Sequence, residues 1–180
     1  MLACALQDEQ VNHLVIILYS EQGKGKSTWI RRLLPPQWRE YYRNGMVNPD
    51  NKDHQLLLST HLIINMEEFE GARIGDLAGL KRVITQESVT ERKAYDMQAY
   101  NFIRHASFIA STNNRQCLQD IGGNRRFLPS SIITLDYRTP VNYEGIYAQA
   151  YALIKEGYRY WYEGEEILSL IHISEPTRRS

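Results

Sequence analysis

Six apolar residues, Leu14-Val15-Ile16-Ile17-Leu18-Tyr19, run straight into Ser20-Glu21-Gln22-Gly23-Lys24-Gly25-Lys26-Ser27-Thr28, and that loop runs straight into a segment with helical spacing. No other feature of the chain narrows its fold so far. The apolar run is rich in β-branched residues and reads as a strand buried on both faces. Trp29, Ile30, Leu33 and Leu34 then predict a helix from about Lys26 to Leu34, stopped by Pro35-Pro36. Strand, glycine loop and helix in that order are what a phosphate cradle requires. Glycines let backbone N–H groups approach a β-phosphate, Lys26 neutralises β/γ oxygens, and the Ser27 hydroxyl can ligate Mg²⁺. Gly23, Lys24, Gly25, Lys26, Ser27 and Thr28 are therefore the candidate nucleotide-binding residues. The full pattern has Gly at position 20, where this chain has Ser. A glycine-rich turn capping a helix is the plainer alternative.

Two further strand-like runs end in polar residues. His61-Leu62-Ile63-Ile64-Asn65-Met66 ends in Glu67-Glu68, and Phe108-Ile109-Ala110-Ser111-Thr112 ends in Asn113-Asn114. In a parallel sheet the carboxyl ends of strands face one crevice, so these groups are expected beside the phosphates. Glu67 is assigned to the metal, Glu68 to orienting and deprotonating a water, and Asn113 to holding that water without adding charge. Gly122-Gly123-Asn124-Arg125-Arg126-Phe127 offers two guanidinium groups at the start of an extended segment. Neighbours on a strand point to opposite faces, so one of Arg125 and Arg126 is expected to reach a phosphoryl group as an arginine finger, often supplied by a neighbouring subunit. Solvated turns are the alternative for each of these groups.

Ile74, Leu77, Leu80 and Ile84 predict a helix, with Lys81 and Arg82 near the edge of its buried stripe. Residues 127 to 135 look extended. Residues 143 to 162 read as a closing helix with Ile146, Ala150, Leu153, Ile154 and Trp161 on one face. Strands alternating with helices at these lengths argue for an α/β layer fold with a largely parallel sheet. With 43% apolar and 23% charged residues in 180, one domain can bury a core and stay in solution. Lys plus Arg and Asp plus Glu balance at 21 each, so nucleic-acid contacts must come from local patches. No apolar run approaches the roughly 20 residues of a bilayer span, and the first ten residues carry acids and no base, so no membrane partner and a cytoplasmic location are expected. Cys4 and Cys117 lack metal-type spacing and read as small buried hydrophobes.

A core strand this near Met1 suggests a sequence that begins inside a larger protein. Residues 169–180 look like translated adapter read-through, which leaves 1–168 as the expected domain, truncated at both ends.

The blocks Gly-Lys-Gly-Lys-Ser-Thr, Ile-Ile-Asn-Met-Glu-Glu, Ser-Phe-Ile-Ala-Ser-Thr-Asn and Gly-Asn-Arg-Arg-Phe-Leu-Pro, with Glu91-Arg92-Lys93-Ala94-Tyr95 between the second and third, resemble the virulence-associated E family. That family is similar to the superfamily 3 helicase branch of AAA+ ATPases in phage, plasmid and mobile-element replication proteins. The resemblance implies a three-layer P-loop NTPase of the AAA+/ASCE type, with ATP and Mg²⁺ bound by Lys26 and Ser27. It makes Glu67 and Glu68 the Walker B pair, Asn113 sensor 1, and Arg125 or Arg126 a finger acting in trans in a ring homo-oligomer. It also implies movement on single-stranded DNA, frequently behind a primase domain in the same polypeptide. Departures are Ser20 in the loop and Glu67 where Asp is common.

By the same comparison residues 86 to 100 face a central channel. There Arg92 and Lys93 can track a strand's phosphates and Tyr95 and Tyr100 can stack bases; an exposed mixed-charge helix is the alternative. Two rival functions remain open at this level: a module in which bound ATP only sets oligomer state, and a small-molecule P-loop kinase. The carboxylate pair and Asn113 suit an activated water better than a kinase's acceptor.

Overall fold

The computed structural model describes residues 1–6, 11–48, 50–67, 69, 74–92, 98–114 and 126–159. Its centre is a five-stranded sheet in which every pairing is parallel. The strands are β1 (Val15–Tyr19), β2 (Tyr42–Asn44), β3 (Ile63–Met66), β6 (Ser107–Thr112) and β7 (Phe127–Ser131). They lie in the order β2-β3-β6-β1-β7. Between β3 and β6 the chain makes a separate antiparallel hairpin from β4 (Ser88–Arg92) and β5 (Ala99–Ile103). The helices are α1 (Leu2–Leu6), α2 (Lys26–Arg31), α3 (Lys52–Thr60), α4 (Ile74–Thr85) and α5 (Tyr143–Lys155), with a 3-10 turn over Pro36–Tyr41.

Two apolar clusters cover the two faces of the sheet. Val15, Ile17, Ile64, Met66, Phe108 and Ala110 point to one face, where Leu80, Val83 and Ile84 of α4 and Leu58 of α3 close over them. Leu18, Ile63 and Ile109 point to the other and meet Ile30 and Leu34, with Trp29, Leu33 and Trp38 packed around. The alternation of Cβ atoms along each strand produces this division. β6 is buried at all six positions, as a central parallel strand should be. β7 tolerates Pro129 because it flanks β1 from the outside of the order, where a missing N–H breaks no ladder.

Several expectations are corrected in detail. The glycine-loop helix ends at Arg31, because the chain tightens into turns before Pro35. Ile16 is 44% exposed, so β1 is covered on both faces only in part. Lys81 and Arg82 are exposed, and Arg82 donates to Asp50 at 2.8 Å. The segment holding Arg92 forms the hairpin; Thr90 and Val89 favour strand geometry, and no apolar helical stripe competes with it. The closing helix is α5, but no residue in it is buried: Ile146 is 54% and Leu153 37% exposed. Trp161 lies outside the described residues.

Arg104 was not anticipated. It is fully buried between β5 and β6, with its guanidinium over the Phe108 ring at 4.9 Å from the centroid. It donates to the carbonyls of Ala106, Val83, Ile84, Gln86 and Asn12, and so ties the end of α4, the hairpin base and the segment before β1 into one knot. Burial lowers its pKa to about 10. Five carbonyl acceptors keep the desolvated cation satisfied.

Candidate functional site

Because β1, β3 and β6 run parallel, their carboxyl ends emerge at one edge, and the chain crosses β1 in passing from β6 to β7. Open α/β sheets hold ligands at such a crossing. A cavity of about 280 Å³ lies there, lined by Gln22 to Thr28 of the glycine loop, by Glu67 after β3, and by Ser111, Thr112 and Asn113 at the end of β6. All six candidate nucleotide-binding residues, with Glu67 and Asn113, are thus brought together.

The loop turns through Gly23 and Gly25, at φ 82° and 78°, values that strain any residue with a Cβ. Lys26 is 8% exposed and reaches back across the loop. Its Nζ donates to the Ser20 carbonyl at 2.9 Å, the Ser20 Oγ at 2.8 Å, the Glu21 carbonyl at 3.2 Å and Asn113 Oδ1 at 2.7 Å. An ammonium has three N–H donors, so these oxygens share them, and a phosphate oxygen can replace one without leaving the charge unpaired. Ser20, the departure from the glycine pattern, is buried, and its hydroxyl is one of the lysine's partners while donating to the Glu21 carbonyl at 3.0 Å. The loop therefore closes with Ser at that position. Ser27 and Thr28 are exposed to the cavity.

Glu67 is held by amides. Asn44 Nδ2 donates to Oε2 at 2.6 Å and Asn65 Nδ2 to Oε1 at 3.3 Å. Asn65 is fully buried, and the same Nδ2 lies 3.0 Å from the Tyr42 hydroxyl and 3.3 Å from Asn44 Oδ1. Burial raises the Tyr42 pKa above its ordinary value, and the Glu67 charge adds to the shift against the hydrogen bond from Asn65. Asn65 Oδ1 meets no donor among the described residues, and the contacts of this amide to Tyr42, Asn44 and Glu67 all run through Nδ2. Tyr42, Asn44 and Asn65 were missed as site residues. The signal was present in Asn65, a polar residue inside Ile-Ile-Asn-Met.

Glu68, Lys93, Tyr95 and Arg125 lie outside the described residues. Arg92 ends β4 opposite Ala99, so the backbone places it where the hairpin leaves its ladder. Arg126 immediately precedes β7, and its carbonyl accepts from Val15 N at 2.8 Å. That is the amino end of β1, about 16 Å from the loop at roughly 3.3 Å per residue. Arg126 is not brought to the cavity of its own chain. Among the described residues no three His, Cys, Asp or Glu side chains cluster as a metal site, and no helix is long and apolar enough to cross a membrane.

The model of the virulence-associated protein E-like domain matches residues 10–175. The chain belongs to that family. Structures of the NrS-1 C-terminal region resemble this member of the family. Two apo forms match with TM-score 0.48 at 18% and 17% identity, each covering 98% of this chain and 45% or 46% of the other. A third, also an apo structure, matches at 19% identity with the same TM-score and covers 97% of this chain and 45% of the other. The virulence-associated protein E-like chain thus spans less than half the length of those regions. A search of curated proteins returns no match.

Proposed function

We propose that this chain is the P-loop ATPase core of a replication helicase, binding Mg-ATP in the crevice above β1, β6 and β3. The observation that carries the reading is the single cavity shared by the glycine loop, Glu67 and Asn113, with Lys26 bonded to Asn113. β6 separates β1 from β3. Asn113, at the end of that intervening strand, accepts from Lys26 at 2.7 Å and lines the same cavity as Glu67.

In this reading the loop N–H groups and Lys26 hold the β- and γ-phosphates, and Ser27 Oγ with Glu67 hold Mg²⁺. A hydroxyl and one carboxylate, completed by phosphate oxygens and waters, are the donor set this ion favours. Bound there, the ion neutralises phosphate charge. Asn113 orients the water and Glu68 accepts its proton as the oxygen attacks the γ-phosphorus. The bond to the bridging oxygen breaks and ADP leaves. Because Arg126 stands at the far end of β1, an arginine acting on the γ-phosphate would come from a neighbouring copy, which fits a ring homo-oligomer. The hairpin, which among the described residues pairs with no other strand, ends β4 at Arg92, and Arg92 with Lys93 would meet the phosphates of single-stranded DNA. A primase domain elsewhere in the full-length polypeptide belongs to the same reading.

Phosphate release from ATP, with and without single-stranded DNA, tests it. Glu68→Gln should abolish turnover, by 100-fold or more, and still bind ATP, since the amide cannot take the proton. Undiminished release in that variant would remove Glu68 from the role.

A further inference from the structure

Gly25 has a neighbour that the phosphate cavity does not include. A Cβ placed on it would clash with the Tyr137 ring at Cδ1, Cε1 and Cγ. The aromatic side chain therefore rests on the backbone of the loop at close contact, and only glycine admits it. Tyr137 arrives from the segment after β7, and three contacts hold that segment over α2. Arg32 donates to the Thr139 carbonyl, the Tyr143 hydroxyl to the Arg32 carbonyl at 2.9 Å, and the Tyr147 hydroxyl to the Leu33 carbonyl at 2.8 Å. Asp136 fixes the turn around the ring by accepting from the N–H groups of Arg138 and Thr139, both at 3.0 Å.

The sheet order says which end of a nucleotide would meet this ring. Glu67 and Asn113 follow β3 and β6, both on one side of β1. A triphosphate with its γ end toward those groups must leave the loop on the other side of β1, which is the side of β7 and the residues after it. Tyr137 is half-buried there, fixed through Gly25 to the loop that holds the phosphates. Among the described residues the cation over its ring is Arg138, adjacent in sequence, exposed, and 5.4 Å from the centroid. An exposed arginine is displaced from a ring at small cost.

We infer that Tyr137 is the platform on which the base of the bound nucleoside triphosphate stacks. This rests on the triphosphate reading of the cavity and adds a nucleoside subsite to it. Stacking makes little use of base edges, so purine nucleotides are favoured over pyrimidine ones by ring area and only weakly distinguished from each other.

Equilibrium calorimetry on the full chain separates the two halves of the ligand, with Mg-ATP and Mg-tripolyphosphate as probes. Tyr137→Ala should weaken Mg-ATP about tenfold, the order of one aromatic stack, and leave tripolyphosphate unchanged. Tyr137→Phe should keep the wild-type affinity for both. Unchanged Mg-ATP affinity in Tyr137→Ala would overturn the proposal. Equal weakening of both ligands would also overturn it, since the ring would then only buttress Gly25. If the wild-type chain binds neither ligand, the triphosphate reading fails and the platform with it; if it binds tripolyphosphate as tightly as Mg-ATP, only the platform fails.

Discussion

At the scale of single residues, the site is organised by side chains that satisfy one another before any ligand arrives. Lys26 is a buried cation whose partners are two carbonyls, a hydroxyl and an amide oxygen. Ser20 shows how a departure from a motif can still serve it: its carbonyl and its Oγ both accept from the lysine. Glu67 presents the complementary case, an acid held by Asn44 and Asn65. If that amide pair positions the carboxylate, Asn65→Leu should raise the Mg²⁺ concentration needed for half-maximal ATP binding about tenfold, as loss of a group behind a metal ligand commonly does. Affinity for metal-free ATP should stay as it was. A Mg²⁺ titration in both proteins checks this, and superimposable curves would leave Asn65 a purely structural amide.

At the scale of elements, what the sequence made legible was set by local pattern and what it hid was set by tertiary company. β1, the glycine loop and β6 could be read directly because a strand covered on both faces carries an apolar run, as Val15 to Leu18 and Phe108 to Ala110 do, and glycine marks the loop positions where φ is positive. The convergence of Glu67 and Asn113 followed from strand direction alone. The hairpin was less legible, since Ser88 to Arg92 has neither a helical stripe nor strict alternation, and pairing with β5 decides it. α5 misled because its period is helical while its apolar side chains remain exposed; periodicity reports a face and not whether anything covers it. Arg104 was illegible for the opposite reason: its carbonyl partners come from three separate stretches of chain, at Asn12, at Val83 to Gln86 and at Ala106. Arg104→Met keeps bulk over Phe108 and leaves those carbonyls unanswered. It should destabilise the fold by about 3 kcal/mol, which for a domain of this size lowers Tm by roughly 6–12 °C. Thermal melting with a loss under 2 °C would show that the knot is not a determinant of stability.

At the scale of the whole molecule, a parallel sheet with helices on both faces places the glycine loop, the acid and the amide at one edge and Arg126 at the other. Arg126 therefore stands away from the cavity of its own chain, and in the proposed function an arginine supplied by a neighbouring copy would take its place there. Membership of the virulence-associated protein E-like family agrees with the order of motifs along the chain. The proposed function requires the cavity between Lys26, Glu67 and Asn113 to be a receptor for a magnesium-bound triphosphate. Titrating ATP into wild-type and Lys26→Ala proteins, each with and without Mg²⁺, tests that most directly. Saturable binding that Mg²⁺ strengthens and that falls at least a hundredfold in Lys26→Ala is the predicted result; equal affinity in the two proteins would contradict it.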